Sequence, residues 1–189
     1  MTVWFTSDLH LGHRFVAGLR GFSDVGRHDA TVLSNLKEQV APGDRLWVLG
    51  DLSVGDTREE QRALDLIQEH LPEVEKHLIP GNHDSCHPLF KSSFKRQRVY
   101  LEVFESVQAY QKLRWQGQEV WLSHFPRPGQ DHDGMTSRFD DLRLRVPYLV
   151  HGHLHSPVPQ VAEGQVDVGL DAWGLQPVRQ EDVQQLLFS

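Results

Sequence analysis

The sequence predicts an α/β sandwich with mixed sheets. Two observations carry that prediction. Up to residue 79, short apolar strands alternate with segments of helical period, as in consecutive β-α units. Beyond residue 100 the helical period fades, and strand-like runs flank a tight turn. The 189 residues suffice for one core, so a single domain over 1–189 is expected.

The elements follow in order. Val3-Trp4-Phe5-Thr6 reads as the first strand. Arg27 to Val40 places Leu33, Leu36 and Val40 at helical spacing, and Pro42-Gly43-Asp44 stops it. Arg45 to Leu49 is the second strand. Thr57 with Glu60 three residues on reads as a capping box. The helix it opens aligns Leu64, Ile67 and Leu71 and closes at Pro72. Lys76 to Ile79 is the third strand. Tyr100 to Val107 and Ala109 to Trp115 read as strands. Gln116-Gly117-Gln118 then turns the chain into Glu119 to Leu122. Residues 127–147 read as a long polar loop with a helical turn near 139–144, and loops of that length are often functional. Tyr148 to Val150 and Val166 to Asp171 are the last strands. Glu181 to Phe188 is a short closing helix.

Composition excludes several classes. Hydrophobic residues at 39% and charged residues at 24% describe a globular chain, not a disordered one. No apolar run reaches the roughly 18 residues a membrane span needs. The N-terminus carries no basic, then apolar, secretory pattern. A single cysteine, Cys86, permits no intramolecular disulfide and no cysteine-rich zinc site, so a reducing cytoplasm is the expected location. A net charge of −7 disfavours bulk attraction to nucleic acid.

Histidine is unusually frequent, at 12 copies, and several are placed rather than scattered. Strand after strand ends in Asp, Asn or His: Asp8 and His10, then Asp51, then Asn82 and His83, then His124, then His153 and His155. Ligands of α/β folds collect beyond the carboxyl ends of strands. If these strands are neighbours, the five endings share one rim. Such nitrogen and oxygen donors suit Mn, Fe, Zn, Ni or Mg. On extended backbone, Asp8/His10 and His153/His155 each aim two heads to one side. The donors exceed one tetrahedral ion and suffice for two, roughly 3.5–4 Å apart, an arrangement that clamps an in-line displacement at phosphorus. Asp51 is the natural carboxylate to bridge them.

Asp8-Leu9-His10, Gly50-Asp51, Gly81-Asn82-His83-Asp84, Ser123-His124 and Gly152-His153-Leu154-His155, in that order, resemble the calcineurin-like metallophosphoesterase superfamily. The openings "WFTSDLHLGHR" and "SHFP" and the late "GLDAWGLQPV" are similar to its small bacterial and phage-type members. The resemblance implies a four-layer α/β/β/α sandwich of two mixed β-sheets flanked by helices. It implies that Asp8, His10 and His155 hold one metal, that Asn82, His124 and His153 hold a second, and that Asp51 bridges. It implies a metal-activated water or hydroxide as nucleophile, His83 assisting at a phosphoryl or leaving oxygen, and Asp84 fixing the tautomer of His83. One position departs: many members carry an acid three residues after the bridging Asp, and here Val54 stands there.

The implied activity is phosphoester hydrolysis with two divalent ions, Mn2+ first among them. The expected substrate is a small phosphodiester of nucleotide or cyclic-nucleotide type. A phosphomonoesterase, a nuclease and a non-catalytic scaffold are the alternatives. The partner is thus a small phosphoester, with no membrane and no strong signal for a nucleic-acid polymer; nothing speaks to oligomeric state. His13, Arg14 and Arg127 lie just past motif residues, where a phosphate would approach. His132 and Arg138 read instead as solvated loop side chains, and the basic run Lys91, Lys95, Arg96 and Arg98 as a solvated face. His151 reads as a packed strand residue, His28, His70, His77 and His87 as surface residues, and Cys86 as a buried filler.

Overall fold

The computed structural model of the chain describes residues 1–132 and 134–189. Two mixed sheets form. The first has the order β4-β3-β2-β1-β9, from β1 (Val3–Thr6), β2 (Arg45–Val48), β3 (Glu75–Leu78), β4 (Ser106–Val107) and β9 (Val178–Arg179). Its first four strands are parallel, and β9 joins antiparallel to β1. The second sheet has the order β5-β6-β7-β8, from β5 (Gln111–Trp115), β6 (Gln118–Leu122), β7 (Leu149–His151) and β8 (Gln165–Asp167). A hairpin joins β5 to β6, while β6, β7 and β8 run parallel. Among the described residues five α-helices accompany them: α1 (Arg14–Leu19), α2 (Val25–Gln39), α3 (Thr57–His70), α4 (Ser93–Tyr100) and α5 (Gln180–Leu187).

Alternate burial on the strands of the first sheet explains the layers. Trp4, Leu46, Val48 and Leu78 face a core shared with Val32, Leu33 and Leu36 of α2 and Ala63, Leu64 and Ile67 of α3. Phe5 and Trp47 face the other way, onto Val120 and Leu122 of β6, Val150 of β7 and Val166 of β8. Burying each large side chain of this kind stabilises the fold by about 1.5–3 kcal/mol. Phe5 and Trp115 meet edge to face across the two sheets, ring centroids 5.8 Å apart. At one edge α5 packs on β1, β8 and β9. No helix among the described residues is long and apolar enough to cross a membrane.

Several local expectations change. The cap of α3 is Asp56, whose carboxylate accepts from Arg58 N and Glu59 N at 3.0 Å each, so Thr57 is the first helical residue. Glu60 is therefore no capping-box partner. It is buried, accepting from Ser85 N at 3.0 Å and from the Tyr100 hydroxyl at 2.5 Å, and pairing with Arg96. That network draws Tyr100 into the end of α4, and only Ser106–Val107 of the expected strand is extended. The last strand stops at Asp167, whose Oδ1 accepts from Gly169 N at 2.7 Å, and a 3-10 turn over Leu170–Trp173 follows. Neither α1 nor β9 was anticipated. The residues expected at the surface divide: His28 and His87 are buried, and His77 stacks on Trp47 at 4.5 Å. His151 and Cys86 are buried, and the helical turn in the long loop is the 3-10 turn Asp140–Leu142.

Candidate metal centre

The five strand endings meet on one rim. β1, β2 and β3 are adjacent in one sheet, β6 and β7 in the other, so their carboxyl ends deliver Asp8/His10, Asp51, Asn82/His83, His124 and His153/His155 to a single cavity edge. Two glycines permit the approach. A Cβ on Gly81 would stand 2.7 Å from Asp51 N and from His124 Cε1, and one on Gly152 would stand 2.6 Å from Ser7 Cβ.

The backbone delivers the side chains differently from the extended geometry expected. Asp8 (φ 59°), His10 (φ 48°), Asp51 (φ 55°), His153 (φ 75°) and His155 (φ 51°) are all left-handed. Non-glycine residues rarely adopt this region, at about 1–3 kcal/mol each, and such strain gathers at functional sites. The i, i+2 pairs converge through this coiling and not through a strand pleat.

Two overlapping donor sets result. Asp8, His10 and His155 form one, with His10 Nε2 3.1 Å from His155 Nε2 and 3.9 Å from Asp8 Oδ1. Asp8, Asp51 and His124 form another. Asp51 Oδ2, of the second set, lies 3.5 Å from His124 Nε2 and 3.8 Å from His10 Nε2 of the first, within reach of both, as a bridging carboxylate must be. Asn82 Oδ1 stands 3.2 Å from His124 Nε2. Atoms bound to one ion at about 2.1 Å lie roughly 3–4 Å apart, so these separations fit.

Hydrogen-bond chemistry points the same way. His124 Nδ1 donates to Leu49 O at 2.7 Å, and His155 Nδ1 donates to Asp171 Oδ2 at 2.8 Å. In a neutral ring each Nε2 is then a lone pair. That of His124 faces Asp51 Oδ2, another acceptor, and Asp8 Oδ1 is buried with no hydrogen-bond partner. Acceptors aimed at acceptors in a buried site are costly without a cation between them. The donors present therefore fit a pair of divalent ions.

Burial, with its neighbouring rings His155 and His83, holds His10 well below the ordinary histidine pKa. Burial would also lower His155, but its bond to Asp171 and the Asp8 carboxylate raise it overall. Arg20 ties this corner together, bonding Asp171 Oδ2 at 2.7 Å and Asp8 O at 2.8 Å.

His153 is only partly where the resemblance put it. Its ring centre lies 5.2 Å from that of His124, but its Nε2 faces Asp131 Oδ1 at 3.2 Å, in a third donor group with His132. Asp131 and His132 come from the long loop. His132 stacks on His155 at 5.5 Å, so the reading of a solvated side chain is overturned. Arg138 of the same loop also lines the cavity.

The remaining candidates separate. His83 lines the cavity, its ring 5.3 Å from that of His10. Asp84 does not orient it. The Asp84 carboxylate accepts instead from Gly81 N, Asp51 N and Leu52 N at 2.7, 2.8 and 3.0 Å, while His83 Nδ1 donates to Val54 O at 3.1 Å. Burial, then the nearby Asp51, pushes Asp84 up to about 7. His13 lines the cavity and caps α1. Arg14 is exposed and outside the lining. Arg127 is spent on structure: its guanidinium binds Val146 O, Glu163 O, Gly164 O and Pro147 O, stitching the long loop to the segment before β8. Sequence reasoning missed Asp131, Asp171 and Arg20. Asp171 had a visible signal, a carboxylate in "GLDAWG" beside an otherwise apolar turn.

The profile of the calcineurin-like phosphoesterase family matches residues 1–157. The chain belongs to that family, which makes it a metal-dependent phosphoesterase. The gene 66 proteins of mycobacteriophages L5 and D29 are each 39% identical to it, over 184 and 181 residues, covering 90% of this chain and 87% and 88% of theirs. A protein of unknown function from Aquifex aeolicus shares the fold, with a TM-score of 0.71, 98% coverage of both chains and 21% identity.

Proposed function

We propose that the chain hydrolyses small phosphodiesters of nucleotide type, with Mn2+ its first-choice ion. The observation that carries the two-ion reading is Asp51 Oδ2, within reach of both His10 Nε2 and His124 Nε2. Two divalent ions in these donors would supply Lewis acidity at the phosphoryl oxygens and an activated water. Asp8, His10 and His155 would hold one and Asn82 and His124 the other, with Asp51 within reach of both; His153 would join the second by turning its Nε2 from Asp131 Oδ1. Mixed histidine and carboxylate donors accept Mn2+.

His83 acts beside them. With Nδ1–H committed to Val54 O, Nε2 is the atom turned to the substrate, and it gives a proton to the leaving oxygen when the ring is an imidazolium carrying a second proton there. The cavity, about 230 Å³, is small and open-rimmed. Among its lining residues Arg138 is the one fixed cation, and it also pairs with Asp131 Oδ1 at 3.5 Å. The net charge of −7 speaks against a polymeric nucleic acid.

The test is a panel with Mn2+-loaded protein: bis-p-nitrophenyl phosphate, p-nitrophenyl phosphate, 2′,3′- and 3′,5′-cyclic nucleotides, dinucleoside polyphosphates and single-stranded DNA. Diesters and cyclic nucleotides are expected to turn over fastest, to stop with EDTA and to resume with Mn2+. Asp51→Asn and His124→Ala should each lower the rate at least 100-fold with an unchanged circular dichroism spectrum. Faster cleavage of the monoester or of DNA would overturn the substrate class, and full activity in Asp51→Asn the two-ion reading.

A further inference from the structure

We propose that the outer face of α1, Phe15 with Leu19, is a subsite that seats the nucleobase of the substrate; this rests on the phosphodiesterase reading above. Phe15 is 70% exposed and Leu19 69%, unusual for large apolar side chains, and they stand four residues apart on one helical face. Both line the same cavity as His10, Asp51, His83 and Arg138. The opposite face of α1 is the buried one, with Val16 at 6% and Ala17 at 1% exposure. Core packing therefore accounts for the inner face and leaves the outer face unexplained.

The helix is also coupled to the metal donors. His13 caps it, and the next residue but two upstream is His10. Arg20, at its C-terminal end, donates to Asp8 O at 2.8 Å and Leu9 O at 3.4 Å. The platform is thus fixed to the loop that carries the first donor set. Rings continue from it inward: Phe15 to His13 at 6.5 Å, His13 to His10 at 5.2 Å and His13 to His83 at 5.9 Å.

The cavity accordingly offers one polar wall of metal donors, one cation in Arg138, and one apolar rim. A nucleotide has matching parts, an anionic phosphate joined to a flat, largely apolar base. Two side chains are too little surface for a stable protein interface, which needs about 800 Å² per partner. They suffice for one base, since stacking on a single aromatic side chain is a sizeable contribution.

The test is calorimetric binding of adenosine 5′-monophosphate and ribose 5-phosphate to the Mn2+-loaded protein. These share the phosphate and differ in the base. Wild type should bind the nucleotide about tenfold more tightly. Phe15→Ala should abolish that preference, Phe15→Trp should keep it, and Phe94→Ala, an exposed aromatic outside the cavity lining, should leave it unchanged. Because Phe15 is exposed, its removal should not disturb folding. Equal affinities in wild type, or a preference that survives Phe15→Ala, would overturn the subsite while leaving the phosphodiesterase reading intact. Failure to bind either ligand, together with failure to cleave any ester of the panel, would remove that reading and the subsite with it.

Discussion

The ring of His83 is held by the main chain of Val54: Nδ1–H donates to the Val54 carbonyl at 3.1 Å. The turn is shaped for this contact. Gly55, at φ 95°, lies so close that a Cβ there would stand 3.3 Å from His83 Nδ1 and 3.0 Å from His83 O. A backbone acceptor needs no particular side chain at position 54. Val54, the one departure from the expected motif, therefore leaves the imidazole oriented.

That geometry separates two variants. His83→Ala should cut kcat for bis-p-nitrophenyl phosphate by at least 100-fold, the usual range for a lost acid-base group, with Mn2+ content unchanged by elemental analysis. Val54→Ala should stay within about twofold of wild type, since its carbonyl remains. A large loss in Val54→Ala, or loss of metal in His83→Ala, would contradict these roles.

Asp84 should behave differently from His83. Its buried carboxylate satisfies three N–H groups, on Gly81, Asp51 and Leu52, and so pins the segment bearing the bridging residue to the segment bearing Asn82. Asp84→Ala leaves three buried donors unmet, at roughly 1–3 kcal/mol each. Tm should fall by about 6 °C or more, and Mn2+ content should fall with it. Full metal content with only kcat reduced would restore the role in orienting His83.

The donors at the rim were legible because each follows a short apolar strand, and a parallel sheet aligns strand ends whatever lies between them. The same reasoning fails where contacts are remote. Glu60 imitated a capping box, but the burial that recruits Tyr100 and Arg96 to it depends on α4, 33 residues onward. Arg127 has the chemistry of a phosphate clamp, and only the folded loop shows its donors consumed by carbonyls. Asp131 and His132 lie in a polar stretch without periodicity, so nothing local marked them as facing His153. The left-handed backbone at five donors is likewise invisible, because none of those residues is glycine.

His87, which is not itself a metal donor, gives the stability a pH dependence. It is buried, its ring edge against Phe125 at 5.6 Å, and its Nδ1 accepts from Leu89 N at 3.0 Å. Burial, then the neighbouring His124, lowers its pKa from 6.5 to about 4. The unfolded chain thus takes up a proton near pH 6.5 that the folded chain refuses until about pH 4. The stability tied to the neutral ring is full above pH 6.5, declines as pH falls through that window, and is spent below about 4. The span corresponds to roughly 3 kcal/mol. His87→Asn cannot titrate there and keeps an acceptor for the amide two residues on, as in an Asx turn. Urea unfolding in EDTA, which removes metal release from the comparison, should show wild type losing about 2–3 kcal/mol more than His87→Asn between pH 7 and pH 4.5. Parallel curves for the two proteins would show that His87 is not the group responsible.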